Sequence, residues 1–155
     1  MAWIVGIDEA GYGPNLGPFV MTSVACRVPE EHAEADLWKV LKKAVRKRPS
    51  DDDPRLFIQD SKVVYSPARG IQDLEAAVLA TVAATLIDEP LPLPRYLDWL
   101  CPSHRNELAS ECWFSGTTLL PLVAPPAEFR KAANRFQLSC QKNDIHWGLV
   151  RSVLV

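Results

Sequence analysis

The stretch Gly6-Ile7-Asp8-Glu9-Ala10-Gly11-Tyr12-Gly13-Pro14-Asn15-Leu16-Gly17-Pro18 decides how this chain is read. Trp3 to Ile7 is an apolar run with the character of a buried strand, and it delivers two adjacent carboxylates, Asp8 and Glu9, into a loop of glycine and proline. Acids placed where a strand leaves the core suit a divalent cation, which takes oxygen ligands. Gly11 and Gly13 tolerate backbone dihedrals that other residues avoid and leave room for a close-approaching ligand. Geometry attaches a condition. Neighbours on a regular strand point to opposite faces, so Asp8 and Glu9 meet on one ion only if the pleat breaks just before Gly11. An isolated Asp-Glu pair is more simply the polar start of a turn.

Working outward, Phe19 to Val28 reads as a second strand with Val20, Val24, Cys26 and Val28 on one face. The short loop between the two runs predicts an antiparallel pair. Pro29 to about Arg48 has helical spacing in Ala33, Leu37, Val40, Leu41 and Ala44, with acids at its start and bases at its end, as the helix dipole prefers. Lys39, Lys42, Lys43, Arg46 and Lys47 there offer a basic stripe for phosphates, although a solvated helix face accounts for them more simply. Asp51, Asp52 and Asp53 fall in a proline-flanked turn that solvent satisfies without a cation.

Leu56-Phe57-Ile58 leads into a second polar block, Gln59-Asp60-Ser61-Lys62, read as a loop. A hydroxyl followed by an ammonium, at Ser61 and Lys62, suits a phosphate oxygen. Ser66-Pro67 has the form of a helix start, and Ile71, Leu74, Val78, Val82 and Leu86 predict the core face of a helix reaching about Ile87. The proline-rich segment from Glu89 to Pro94 ends it. Short helices are expected around Tyr96–Leu100 and Ser103–Cys112, then a turn near Ser115-Gly116 and a longer helix from Ala127 to about Gln141, on which Phe129, Ala132, Ala133 and Phe136 repeat at helical spacing. Trp99, Trp113 and Phe114 could stack on bases, but more often such aromatics fill a local core. His104 and His146 have no partner at metal-ligand or catalytic spacing. Trp147 to Val155 reads as a final strand.

The two polar blocks together resemble type 2 ribonuclease H, whose opening motif reads G-I-D-E-A-G-R-G-P. Gly6 to Gly11 matches it without a gap, Gly13-Pro14 and Gly17-Pro18 follow in place, and Gln59-Asp60-Ser61-Lys62 is similar to the family's N-D-S-K, with Ser66 and Arg69 echoing the helix start beyond. The resemblance implies an α/β fold of the ribonuclease H type, a mixed sheet flanked by helices. One domain would span residues 1–155, incomplete at its C-terminus and carrying a helical insertion at about 89–143. It implies hydrolysis of the RNA strand of RNA–DNA hybrids, or of DNA with embedded ribonucleotides, using Mg2+ or Mn2+. Asp8 and Glu9 match the first two of four metal-binding carboxylates, Ser61 and Lys62 the pair that contacts substrate backbone. Gly11, Tyr12 and Gly13 stand where backbone groups read the ribose 2′-hydroxyl. Tyr12 replaces a basic residue, and the third and fourth carboxylates are expected after the last strand, so these residues are expected to be an N-terminal portion inactive on its own. The rival expectation is a non-catalytic nucleic-acid or protein-interaction module that kept the loop.

Bulk properties fit a soluble single domain. The chain has 155 residues, 48% hydrophobic and 23% charged, enough for a real core. A net charge of −2 gives no global attraction to nucleic acid, so binding must rest on local basic surface. Cys26, Cys101, Cys112 and Cys140 form no C-x-x-C pair and read as reduced, mostly buried thiols. No basic leader precedes an apolar stretch and no uncharged run approaches the roughly 20 residues that span a bilayer, so a cytoplasmic protein, monomeric at full length, is expected.

Overall fold

The computed structural model describes residues 1–9, 19–68, 70–83, 91–110 and 118–154. Strand β1 (Ala2–Glu9) pairs antiparallel with β2 (Val20–Val28) in unbroken register from Ala2 opposite Val28 to Glu9 opposite Met21. After Val28 come a single 3-10 turn at Glu30–His32, a four-residue helix α1 (Leu37–Val40), and two short strands, β3 (Val45–Arg46) and β4 (Leu56–Phe57), paired parallel to each other. Helix α2 (Ser61–Val64) and helix α3 (Gln72–Ala83) follow. Strand β5 (Leu91–Pro92), α4 (Leu93–Leu100), a 3-10 turn at Pro102–His104, α5 (Arg105–Ser110) and β6 (Leu119–Leu120) come next, β5 and β6 pairing antiparallel. Helix α6 (Pro126–Lys142) then leads to β7 (His146–Leu154), which pairs antiparallel with β2 and completes a three-stranded sheet of order β1-β2-β7. The protein is therefore mixed α/β, with a small antiparallel sheet; its one parallel pairing among the described residues lies in the separate β3–β4 pair.

The core forms between one face of that sheet and helices α3 and α6. Cys26 and Val28 on β2 pack with Leu79 and Ala80 on α3, with Ala132, Ala133, Phe136 and Cys140 on α6, and with Ile145 beyond it. Ala132, Ala133, Phe136 and Cys140 recur at helical spacing, so one stripe of α6 is dry, in line with the spacing in the sequence. Phe136 stacks on Trp147 with ring centroids 5.7 Å apart, fastening α6 to β7. The turn between them is a Schellman stop: the Ile145 N–H donates to the Cys140 carbonyl at 2.9 Å, the Asp144 N–H to that of Gln141 at 3.1 Å, and Asp144 takes a left-handed φ of 53°.

Four expectations are corrected here. The helix expected over residues 29–48 breaks into pieces because the Asp36 carboxylate caps a new helix start, accepting from the Trp38 N–H at 3.0 Å, and because Val45 and Arg46 pair with Leu56 and Phe57. Helix α3 begins at Gln72 rather than Ser66-Pro67, since Ser66 bridges to Gly70 in a tight turn where Gly70 adopts φ 56°. Its dry face centres on Leu79, Ala80 and Val82, where α6 and β4 pack, and it leaves Ile71 and Val78 exposed. Strand β1 is not buried on both faces. Ala2 and Ile4 touch the core, while Trp3, Val5 and Ile7 are 60%, 59% and 68% exposed.

Candidate functional site

Asp8 and Glu9 close β1, both exposed, opposite Thr22 and Met21 on β2. Register stays regular through Glu9, the last residue described before the loop. Asp8 falls on the face of Ala2, Ile4 and Gly6, toward the helices; Glu9 falls on the face of Trp3, Val5 and Ile7. The Asp8 carboxylate turns back on the chain and accepts from the Glu9 N–H at 3.0 Å. Gly11, Tyr12 and Gly13, with Gly17-Pro18, Arg69, Leu86, Trp113, Phe114 and the turn at Ser115-Gly116, lie outside the described residues.

The second block stands on Asp8's side of the sheet. Thr22, the cross-strand neighbour of Asp8, and Gln59 line one apolar cavity of about 440 Å³, whose walls include Val24, Val64, Val78 and Tyr96. Residues separated by 37 positions or more in the chain are thus gathered at one end of the sheet. Gln59 opens the second polar block, but nothing in the sequence around Thr22 marks it as a candidate; strand pairing and the fold of α3 bring the two to one cavity. Burial in this cavity pushes the Tyr96 hydroxyl up to about 12. The strand before the block is held by the Trp38 indole, whose N–H donates to the Ile58 carbonyl at 2.9 Å.

The block is a loop only through Gln59 and Asp60; Ser61 and Lys62 open a helix. Asp60 caps α2, accepting from the Lys62 N–H at 2.9 Å, and its own N–H donates to the Gln59 side chain at 3.1 Å. That puts Asp60 in a structural role and leaves Ser61 and Lys62 exposed in the first turn, a hydroxyl and an ammonium open to an anion.

The residues weighed as a basic stripe over 39–47 are not carried on one helix: Lys39 lies on α1, Lys42 and Lys43 in the turn after it, and Arg46 on β3. Arg46 is buried on β3, its Nε donating to the Arg55 carbonyl at 3.0 Å and its guanidinium 5.0 Å from the Phe57 ring. Lys47 lies 4.3 Å over the Trp38 ring and pairs with Asp36 at 3.6 Å. Of the acidic turn, Asp53 is taken by Arg55, whose guanidinium holds its carboxyl down at about 2. His146 does have a partner, Asp144 at 2.6 Å, but both are exposed and no third group joins them among the described residues.

Comparison of the chain with protein-family models, with curated proteins and with solved structures gives no match. Among the described residues no three of His, Cys, Asp and Glu converge as a metal site, and no helix is long and apolar enough to cross a membrane. Mg2+ and Mn2+ take about six oxygen ligands. With one carboxylate on each face of β1, Asp8 and Glu9 as placed do not fit a shared ion.

Proposed function

We propose that this chain carries part of a cytoplasmic ribonuclease of the type 2 ribonuclease H kind. Its fold would be of the ribonuclease H type and its substrate the RNA strand of RNA–DNA hybrids, or DNA with embedded ribonucleotides. One observation carries the reading. Thr22, which stands opposite Asp8, and Gln59, which opens the second polar block, line one cavity on the same side of the sheet. Asp8 is the carboxylate on that side. Ser61 and Lys62 supply a donor and a positive charge for the phosphate backbone, and Gly11, Tyr12 and Gly13 belong to ribose recognition. In this reading the enzyme works with Mg2+ or Mn2+, and Glu9 must turn about the end of β1 to join Asp8; further carboxylates must complete the ligand set.

A second reading, a non-catalytic nucleic-acid module, draws on the regular pleat that keeps Asp8 and Glu9 apart. Cleavage of a labelled RNA–DNA hybrid by the full-length protein separates the two. The nuclease cuts the RNA strand only with Mg2+ or Mn2+ present and loses that activity in Asp8→Asn. The module binds hybrid equally in chelator and never cuts, and that result overturns the first reading.

A further inference from the structure

A second polar surface lies at the other end of the sheet. Asp8 and Glu9 end β1, whereas α1 follows β2 from Val28, which pairs with Ala2 at the start of β1. Six residues of strand separate Ala2 from Asp8, roughly 20 Å at strand rise. Beyond α1, Lys42 and Lys43 project from a turn whose neighbours Leu41 and Ala44 are anchored in the core. Opposite them stand Lys131, Arg135 and Lys142, all on α6. The two segments enclose an open groove of about 590 Å³.

Charge is what sets this groove apart. Five cations line it and, among the described residues, no carboxylate does, in a chain whose net charge is −2. The four lysines are exposed and form no ion pair among the described residues. Arg135 is half-buried and fixed, donating to the Pro54 carbonyl at 2.7 Å, a neutral acceptor that leaves its charge uncompensated. The acidic turn Asp51–Asp53 lines the neighbouring pocket, which shares Lys131 with the groove. Leu138 is the single large apolar side chain exposed on this stretch of α6, so the surface lacks the apolar stripe with which a helix enters a membrane.

We infer that this groove binds the phosphate backbone of a nucleic-acid duplex, independently of Asp8 and Glu9. From Lys131 to Lys142 the helix rises about 16 Å, which runs alongside about five phosphates of one strand at 3.4 Å per step. Five cations against about five phosphates is a matched register, and backbone contacts of this kind position a duplex without reading its sequence. The inference rests on the nucleic-acid reading above only for the identity of the polyanion.

The test is fluorescence anisotropy of a labelled 16-base-pair duplex, as DNA and as RNA–DNA hybrid, in EDTA over a salt series. With about five phosphates neutralised, log affinity falls against log salt with a slope of roughly −4.5, a loss of roughly five-hundredfold between 50 and 200 mM. The double variant Lys42→Gln/Lys142→Gln binds roughly tenfold or more weakly at the lower salt and loses about two from the slope. Lys47→Gln binds as the parent does. No binding at 50 mM salt, an unchanged slope in the double variant, or capture by phosphatidylserine vesicles in preference to duplex overturns the inference. Duplex binding in EDTA with no hybrid cleavage by the full-length protein in Mg2+ or Mn2+ keeps the groove and removes the nuclease; metal-dependent cleavage with binding indifferent to Lys42 and Lys142 does the reverse.

Discussion

Asp8 stands directly opposite Thr22 in the β1–β2 pair, and Thr22 shares a cavity wall with Gln59. This cross-strand pairing links the first polar block to the second, and Glu9, one residue on, has no part in it. Under the proposed function the two blocks are expected to differ. Asp8→Asn abolishes hybrid cleavage, while Ser61→Ala and Lys62→Ala, which remove a hydroxyl donor and a charge, weaken hybrid binding by about 1 kcal/mol each. Turnover and affinity measured separately on the same hybrid distinguish these effects.

Glu75 on α3 holds the segment after β6 in place. Its carboxylate accepts from three consecutive backbone N–H groups, those of Leu122, Val123 and Ala124, the last two at 2.8 Å. Glu75→Gln replaces an acceptor oxygen by a donor and sets it against those amides, costing about 1–2 kcal/mol. Amide exchange at Leu122–Ala124 accelerates and Tm drops by a few degrees.

Phe136 is almost fully buried between the sheet and α3 and stacks on Trp147. Phe136→Ala removes a filled volume that the neighbouring backbone cannot collapse into, and costs about 3–5 kcal/mol. Denaturant titration reads this as a lower midpoint with little change in slope.

The Asp53–Arg55 pair gives a defined acid limb. Arg55 holds the Asp53 carboxyl at about 2, below its ordinary unfolded value of about 3.9, so the stabilisation is present above about pH 4 and is lost as pH falls toward 2. Solvent screens the pair, which limits its contribution to roughly 0.5–1 kcal/mol. Asp53→Asn lowers stability at neutral pH by that amount and flattens the acid limb over this window.

Cys26, Cys101 and Cys140 are free and buried, and burial pushes the Cys140 thiol up to about 11 despite the Trp147 N–H that donates to its Sγ at 3.4 Å. In a Cys112→Ser background a thiol reagent at neutral pH finds nothing to label until the protein unfolds, when all three react.

Elements carried by a local period were legible. Alternation in Val24, Cys26 and Val28 gave β2, and Ala132, Ala133 and Phe136 gave the dry stripe of α6, because both periods reflect a face against the core. Residues 29–48 were not, since their helical spacing is overridden by the Asp36 cap and by the pairing of Val45 and Arg46 with a strand ten residues further on. Of the candidate site, the chemistry of Asp8, Ser61 and Lys62 could be read from residue types, but the meeting of Thr22 with Gln59 could not. It depends on tertiary packing, as does the union of Lys42 and Lys43 with three cations of α6.

The most direct measurement is paramagnetic broadening of backbone amide signals by Mn2+ in the presence of an RNA–DNA hybrid. A site built on the Asp8 side of the sheet broadens Glu9, Thr22 and Gln59–Lys62 together, and Asp8→Asn abolishes the effect. Broadening centred elsewhere, at Asp51–Asp53 for example, or undiminished in Asp8→Asn, contradicts it.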